Sequence, residues 1–314
     1  MESITVFSPA KLNLFLAVTG RRADGFHDLL SVAVPLTWGD SLKGAVRPGS
    51  GSTKKADSDF TLGCSDPAVP MDGTNLVLRA ARLFRAKTGL GFGVDFHLEK
   101  RIPMGAGLGG GSSNGVAALK VMNALAGEPL GNEGLMELAA QLGSDCPLFL
   151  HGGPVIMRGR GDRIEPLGAL PAAERLRGRR VLIFKPDFGI STAWAFGRLA
   201  SLPSPGFVGA WVETFMGAEE AEGRVAAWLG DAGAPAEKLL FNSLEAVAFE
   251  KFLALPVLLE RLGRQFGLAP RMTGSGSACF ALLGGPDDPP VEKVTRAIRE
   301  AWGPSALAIE TTIG

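Results

Sequence analysis

Tyrosine is absent from the 314 residues, so no phenol can serve as acid, base or nucleophile. Cysteine is scarce. Cys64, Cys146 and Cys279 are odd in number, far apart and without metal-ligand spacing, which fits reduced thiols better than a disulfide framework and argues against a structural zinc site. Net charge is also missing: 32 basic residues balance 32 acidic ones. No global field then attracts nucleic acid or an anionic membrane, and any phosphate site must be local. Long apolar runs are lacking too. Leu12 to Val18, interrupted by Asn13, is too short to cross a bilayer, and Met1-Glu2-Ser3 lacks the basic-then-apolar start of a secretion signal. The expectation is a cytoplasmic protein with no membrane and no nucleic-acid partner.

Glycine, by contrast, is abundant at 43 residues. The densest stretch is Pro103-Met104-Gly105-Ala106-Gly107-Leu108-Gly109-Gly110-Gly111-Ser112-Ser113-Asn114, which runs into an apolar, alanine-rich segment. Glycine permits positive φ and close approach of a ligand, so successive amides can face one concavity. Ser112 or Ser113 can cap the following helix, whose dipole adds positive potential. Such a loop suits a polyphosphate. Gly105 to Gly110 satisfies G-x-G-x-x-G, but a dinucleotide fold needs a βαβ unit with an acidic residue on the next strand. Here the helix leads to Gly127-Glu128-Pro129 and another helix. A Walker A motif fails as well, because no lysine precedes Ser112.

Along the chain, Leu12, Leu14, Leu16 and Val18 alternate with Lys11, Asn13, Phe15 and Ala17, the pattern of a strand with one buried face. Lys11 and Asn13 share the other face. A turn at Asp24-Gly25 leads to a strand over Leu29 to Leu36, and Arg47 to Asp59 reads as an exposed loop. A helix is expected over Thr74 to Lys87, a strand over Val94 to Leu98, and a buried helix over Ser113 to Ala126 stopped by Gly127. Asn132 can cap a further helix that closes at Gly143, directly before Ser144-Asp145-Cys146-Pro147. Gly159 to Arg179 reads as a linker. Beyond it come a strand at Val181 to Phe184 and helical regions over Val208 to Leu229, Ala236 to Phe252 and Val257 to Phe266. A second glycine-serine turn, Met272-Thr273-Gly274-Ser275-Gly276-Ser277-Ala278-Cys279-Phe280, precedes an apolar strand, a helix over Pro290 to Trp302 and a last strand near Ala306 to Ile309. Strands and helices mix without βαβ repetition, which argues for α+β in two layers.

Three motifs together resemble the GHMP kinase superfamily (galactose, homoserine, mevalonate and phosphomevalonate kinases). They are Pro9-Ala10-Lys11-Leu12-Asn13-Leu14 with Gly20-Arg21-Arg22-Ala23-Asp24-Gly25-Phe26-His27, the loop Pro103 to Asn114, and Gly143-Ser144-Asp145-Cys146-Pro147-Leu148-Phe149. The Gly-aromatic-His element points within the superfamily to the branch acting on a cytidyl diphosphate. The resemblance runs from about Ser8 to about Phe280. It implies a two-domain α+β fold, with a ribosomal-protein-S5-like half at 1–165 that binds ATP and a ferredoxin-like half at 166–314. It also implies ATP as phosphoryl donor, with Mg²⁺, to the 2-hydroxyl of 4-diphosphocytidyl-2-C-methyl-D-erythritol, a step of non-mevalonate isoprenoid precursor biosynthesis. The expected assembly is a monomer or weak homodimer.

Phosphoryl transfer needs the phosphates held, charge neutralised and an acceptor hydroxyl oriented and deprotonated. Main-chain amides between Gly105 and Ser113 suit the first task, and Ser112 or Ser113 can reach a Mg²⁺ ion. Asp145 sits at a turn and matches the family's catalytic base, although by position alone it would serve equally as a helix N-cap. Lys11 matches the catalytic lysine; its bland alternative is an exposed strand lysine. The resemblance places Asn13, Phe26, His27 and Phe196 on the substrate. Phe26 stands where relatives carry tyrosine and keeps stacking without the hydroxyl; Phe196 would serve as readily in a core. Gly115 stands where relatives usually have alanine. The turn at Gly274 to Ser277 resembles the third superfamily motif, which packs against the first loop.

Overall fold

The computed structural model describes residues 3–47, 59–168, 170–202, 216–285 and 288–314. The loop expected between Arg47 and Asp59 falls mostly on 48–58, and the first part of the helix expected from Val208 falls on 208–215. Both stretches lie outside the described residues.

Two long strands, β1 (Ser3–Arg21) and β2 (His27–Val46), open the chain. The turn between them forms where expected, with Gly25 at φ 84° and the Arg22 amide donating to the Phe26 carbonyl at 2.8 Å. β1 departs from its expected one-sided burial, because every residue from Ala10 to Val18 is buried. Leu16 and Val18 enter the core with Leu182, Phe184 and Leu244, while Phe15 on the opposite face packs on the Phe241 ring. The Lys11 face is therefore interior as well.

Two compact units divide the chain: Met1–Ala10, Trp38–Met104 and Gly109–Gly152 form one, and Lys11–Thr37, Gly105–Leu108 and Gly153–Gly314 the other. The first holds the end of β2 with β3 (Phe60–Cys64), α1 (Leu76–Thr88), β4 (Val94–Glu99), α2 (Gly110–Leu125), α3 (Asn132–Leu142) and α4 (Leu148–His151). β4 runs antiparallel to β2, Ser41 opposite Glu99, and parallel to β3. It buries Val94, Phe96 and Leu98 and exposes the alternate residues. Asn75 caps α1 through the Val77 amide and Gly89 closes it in the left-handed region. α3 begins at Asn132 itself, with Gly131 as a cap that supplies no side-chain bond, so the expected asparagine cap is not used.

The second unit contains β5 (Val155–Gly159), β6 (Arg163–Pro166), α5 (Pro171–Leu176), β7 (Arg180–Lys185), α6 (Thr192–Ala200) and α7 (Ala218–Gly230). It continues through β8 (Phe241–Asn242), α8 (Glu245–Lys251), α9 (Ala254–Phe266), β9 (Arg271–Met272), β10 (Cys279–Leu282), α10 (Val291–Trp302) and β11 (Leu307–Thr312). The stretch expected as a linker, 159–179, instead carries β6 and α5, since Arg163 to Pro166 pairs antiparallel with β5. The helix expected over 236–252 is broken by β8, which pairs parallel with β1 at Phe15 and Leu16. β11, β7, β10 and β9 form a four-stranded antiparallel sheet. The overall class is the expected α+β.

One buried charge organises the first unit. The Asp40 carboxylate accepts from the amides of Arg101 (2.7 Å) and Ile102 (2.8 Å), from Asn114 Nδ2 (2.8 Å) and from Lys100 Nζ. Asn114 also donates to Ser8 Oγ, which donates to Ser113 Oγ, both at 2.8 Å. A single carboxylate thus ties the chain entering the glycine loop to the helix leaving it. Removing one partner of such a buried pair strands the other charge, at a cost of about 3–5 kcal/mol. Asp40→Ala should lower the thermal unfolding midpoint by many degrees, whereas Lys87→Ala, which removes a surface pair with Glu137, should barely move it. Equal midpoints for the two variants in calorimetry would refute this role.

Candidate active site

The glycine loop follows Pro103 and an exposed Met104, and takes left-handed backbone at Gly105 (φ 60°), Gly107 (74°) and Gly109 (70°). Gly109 is the N-cap of α2, so the helix begins at Gly110 and the Ser113 amide closes its first turn on the Gly109 carbonyl at 3.0 Å. Ser112 and Ser113 are therefore inside the helix and cap nothing; low glycine propensity had hidden its true start. Ahead of that first closed turn lie the amides of Gly110, Gly111 and Ser112, together with the positive end of the helix dipole. Gly111 is exposed and Ser112 half-buried, whereas Ser113 is buried and bonded to Ser8. Gly115 falls in the second turn, where an added Cβ would lie 3.1 Å from Leu76 Cβ.

Gly105 to Leu108 packs backbone to backbone with the second glycine-serine turn. Ala278 donates its amide to the Ala106 carbonyl (3.2 Å), Ile190 to Gly105 (3.3 Å) and Lys11 to Leu108 (3.0 Å). A Cβ on Gly107 would stand 2.2 Å from the Thr273 carbonyl oxygen, and one on Gly274 would stand 2.9 Å from that of Gly107. Asn242 braces the second turn, donating from Nδ2 to the carbonyls of Met272 (2.8 Å) and Gly274 (2.9 Å).

Lys11 is only 5 % exposed, which removes the solvated-lysine alternative. Its Nζ donates to Asn13 Oδ1; Asn13 Nδ2 donates to Ser31 Oγ at 2.8 Å, and Ser31 donates to the Phe15 carbonyl at 2.7 Å. Thr273 Oγ1 accepts the Asn13 amide at 2.9 Å. A relay of neutral side chains thus orients the ammonium from one side.

Asp145 lies half-buried in the turn before α4. The N-cap of α4 is Pro147, so Asp145 does not cap that helix. Behind it the Cys146 thiol is buried and pushed up to about 12 by that burial, against a hydrogen bond from Ser112. Cys146 is thus an inert packing group that joins the Asp145 turn to the first turn of α2. Lys11 belongs to one compact unit and Asp145 to the other.

His27 and Phe196 come together, ring centroids 5.4 Å apart. Phe196 also packs on the core, the alternative surrounding expected for it. Burial and the Arg21 charge push the His27 imidazole below its ordinary value, and its buried Nε2 has no partner among the described residues. Phe26, at 54 % exposure, projects outward. On the same helix as Phe196, Trp194 meets the Phe252 ring edge-on at 5.5 Å, beneath the Lys251 ammonium. Phe252 stacks on Phe188, whose carbonyl accepts the Ser277 hydroxyl.

The pattern of the GHMP kinases N terminal domain matches residues 75–153, and that of the GHMP kinases C terminal family matches 207–304. A 4-diphosphocytidyl-2-C-methyl-D-erythritol kinase from Synechococcus sp. (strain CC9902) is 41 % identical over 90 % of this chain and 89 % of its own. One from Protochlamydia amoebophila is 39 % identical over 90 % and 85 %. The chain belongs to the 4-diphosphocytidyl-2-C-methyl-D-erythritol kinase family. A crystal structure of a 4-(cytidine 5'-diphospho)-2C-methyl-D-erythritol kinase superposes with a TM-score of 0.71 at 34 % identity, covering 99 % of this chain and 100 % of that one. A homoserine kinase from Cytophaga hutchinsonii reaches the same 0.71 at 17 % identity, over 100 % of this chain and 95 % of its own, a likeness of fold alone.

Several groups that shape this 4-diphosphocytidyl-2-C-methyl-D-erythritol kinase family site carry no signal in the sequence. Asp40, Ser31 and Asn242 sit in unremarkable strand segments, and only their long-range bonds reveal them. Among the described residues no group of three or more His, Cys, Asp or Glu is placed to hold a metal ion. Gly107→Ala should lower the unfolding midpoint and abolish nucleotide binding, because both its φ and the Thr273 carbonyl forbid a methyl group. Gly111→Ala, with open space around it and a better helix former in place, should leave the midpoint unchanged or raise it. A Gly107→Ala protein as stable as the parent would contradict the packing argument.

Proposed function

We propose that this protein is an ATP-dependent kinase that phosphorylates the 2-hydroxyl of 4-diphosphocytidyl-2-C-methyl-D-erythritol in the non-mevalonate route to isoprenoid precursors. The observation that carries the reading is a buried, pre-aimed Lys11 ammonium in a chain that also presents a glycine-rich helix start. Family membership supplies the substrate. In this reading residues 1–165 form the ATP-binding half and 166–314 the other.

The loop from Pro103 to Ser113 takes the ATP phosphates, with the amides of Gly110, Gly111 and Ser112 as donors at the positive end of α2. Mg²⁺ would neutralise phosphate charge and needs few protein ligands, since it keeps waters and phosphate oxygens. Ser112 is the hydroxyl suited to it, because Ser112 is half-buried whereas Ser113 is buried against Ser8. Asp145 acts as general base toward the acceptor hydroxyl. Lys11 offsets the charge on the transferred phosphoryl group. Asn13 aims the lysine while flanking the substrate. Phe26, His27 and Phe196 take the cytosine: the aromatic rings stack, and the neutral His27 ring offers its unpartnered Nε2 to the base edge.

ADP release measured over a panel of hydroxylated acceptors tests the reading. Turnover dependent on the cytidyl diphosphate compound is expected; equal or better turnover of homoserine or mevalonate would overturn it. Asp145→Asn and Lys11→Met should each reduce kcat by about 10²-fold or more in a folded protein. A folded Asp145→Asn variant with near-parental kcat would remove the base assignment.

A further inference from the structure

Phe26 presents a stacking face but has no hydroxyl to fix it, and the surrounding geometry supplies a replacement. β5 pairs with β2 so that Gly159 lies opposite Leu29. The hairpin from β5 to β6 turns directly beyond that pair, with Gly159 at φ 66° and Gly161 at φ 90°. The Gly161 amide donates to the Arg158 carbonyl at 3.1 Å and the Arg160 amide to Asp162 Oδ1 at 3.0 Å. This tight tip delivers Arg160 to the β1–β2 turn, where its guanidinium carbon stands 4.8 Å from the centroid of the Phe26 ring.

The turn beneath that ring is itself fixed. Asp24 Oδ1 accepts the Phe26 amide at 3.1 Å, and Arg22 bridges Asp24 (3.2 Å) and Asp28 (3.1 Å). The backbone of Phe26 is therefore held by Asp24, and its ring is held by Arg160. The one ion-pair partner of Arg160 among the described residues, Asp162, is 3.9 Å away, too far for a hydrogen bond. The Asp24 carboxylate, which holds the Phe26 amide, also attracts Arg160, so the guanidinium is drawn toward the turn that carries the ring.

We propose that Arg160 is a positioning and specificity residue for the cytidine end of the substrate: its guanidinium covers one face of Phe26 and fixes the ring so that the other face receives the base. The inference rests on the kinase reading given above. A cation over an exposed ring favours the aligned orientation by a factor of about two to five, so the effect should fall on affinity for the cytidyl substrate.

The experiment is a steady-state series on the full-length enzyme, with both substrates varied. If the parent enzyme does not turn over the cytidyl substrate, the kinase reading fails and this inference fails with it. Given turnover, Arg160→Ala should raise the KM for the cytidyl substrate about two- to five-fold and leave that for ATP at the parental value, and Arg160→Lys should recover part of the loss. In a Phe26→Leu background, which offers no π face, Arg160→Ala should add nothing further. An unchanged KM in Arg160→Ala overturns the proposal, as does an equal effect in the Phe26→Leu background, which would place the guanidinium on the diphosphate.

Discussion

The constraint on which the site depends is the approach of two glycine turns through bare backbone. Gly107 meets the Thr273 carbonyl where no side chain fits, and Gly274 returns the contact to Gly107. Much else follows from that distance. Lys11 donates its amide to the same loop at Leu108, and Asn13 donates its own to Thr273. The catalytic lysine candidate is thereby set by the backbone it helps to hold, before any side-chain relay acts. Preorganisation of this kind lets charge act on a transition state without a reorganisation cost at the moment of reaction.

A second layer of control is electrostatic and wholly buried. Asp40 gathers two amides, an amide side chain and a lysine, and so satisfies its charge with hydrogen bonds. Buried charges endure only with such partners. Its placement binds Lys100 to Ile102, which lead into the glycine loop, to Asn114, which follows it. Lys11, in the other unit, is oriented instead through the side chains of Asn13 and Ser31.

Local pattern carried much of this into view. Period two put Lys11 and Asn13 on one face of β1, and glycine density marked both turns before any fold was known. Burial of the Lys11 face was hidden, because alternation with Phe15 and Ala17 looks the same whether the second face meets solvent or core. The start of α2 was misplaced because glycine is a poor helix former, and a dipole with unpaired amides is a tertiary asset rather than a propensity. Residues 159–179 looked like a linker from their glycine, proline and arginine, yet register with β2 makes Arg158 to Arg163 a hairpin. The long-range bonds of Asp40, Ser31 and Asn242 reach across 16 to 74 residues, beyond any local motif.

The missing tyrosine has an optical consequence. Emission from the folded chain comes from tryptophan alone, of which there are five. Trp194 is two residues from Phe196 and sits under the Lys251 ammonium, against a ring stack that ends at the carbonyl bonded to Ser277. A native fluorophore therefore spans the α6 aromatic face and the second glycine-serine turn, and the molecule carries its own reporter without any label.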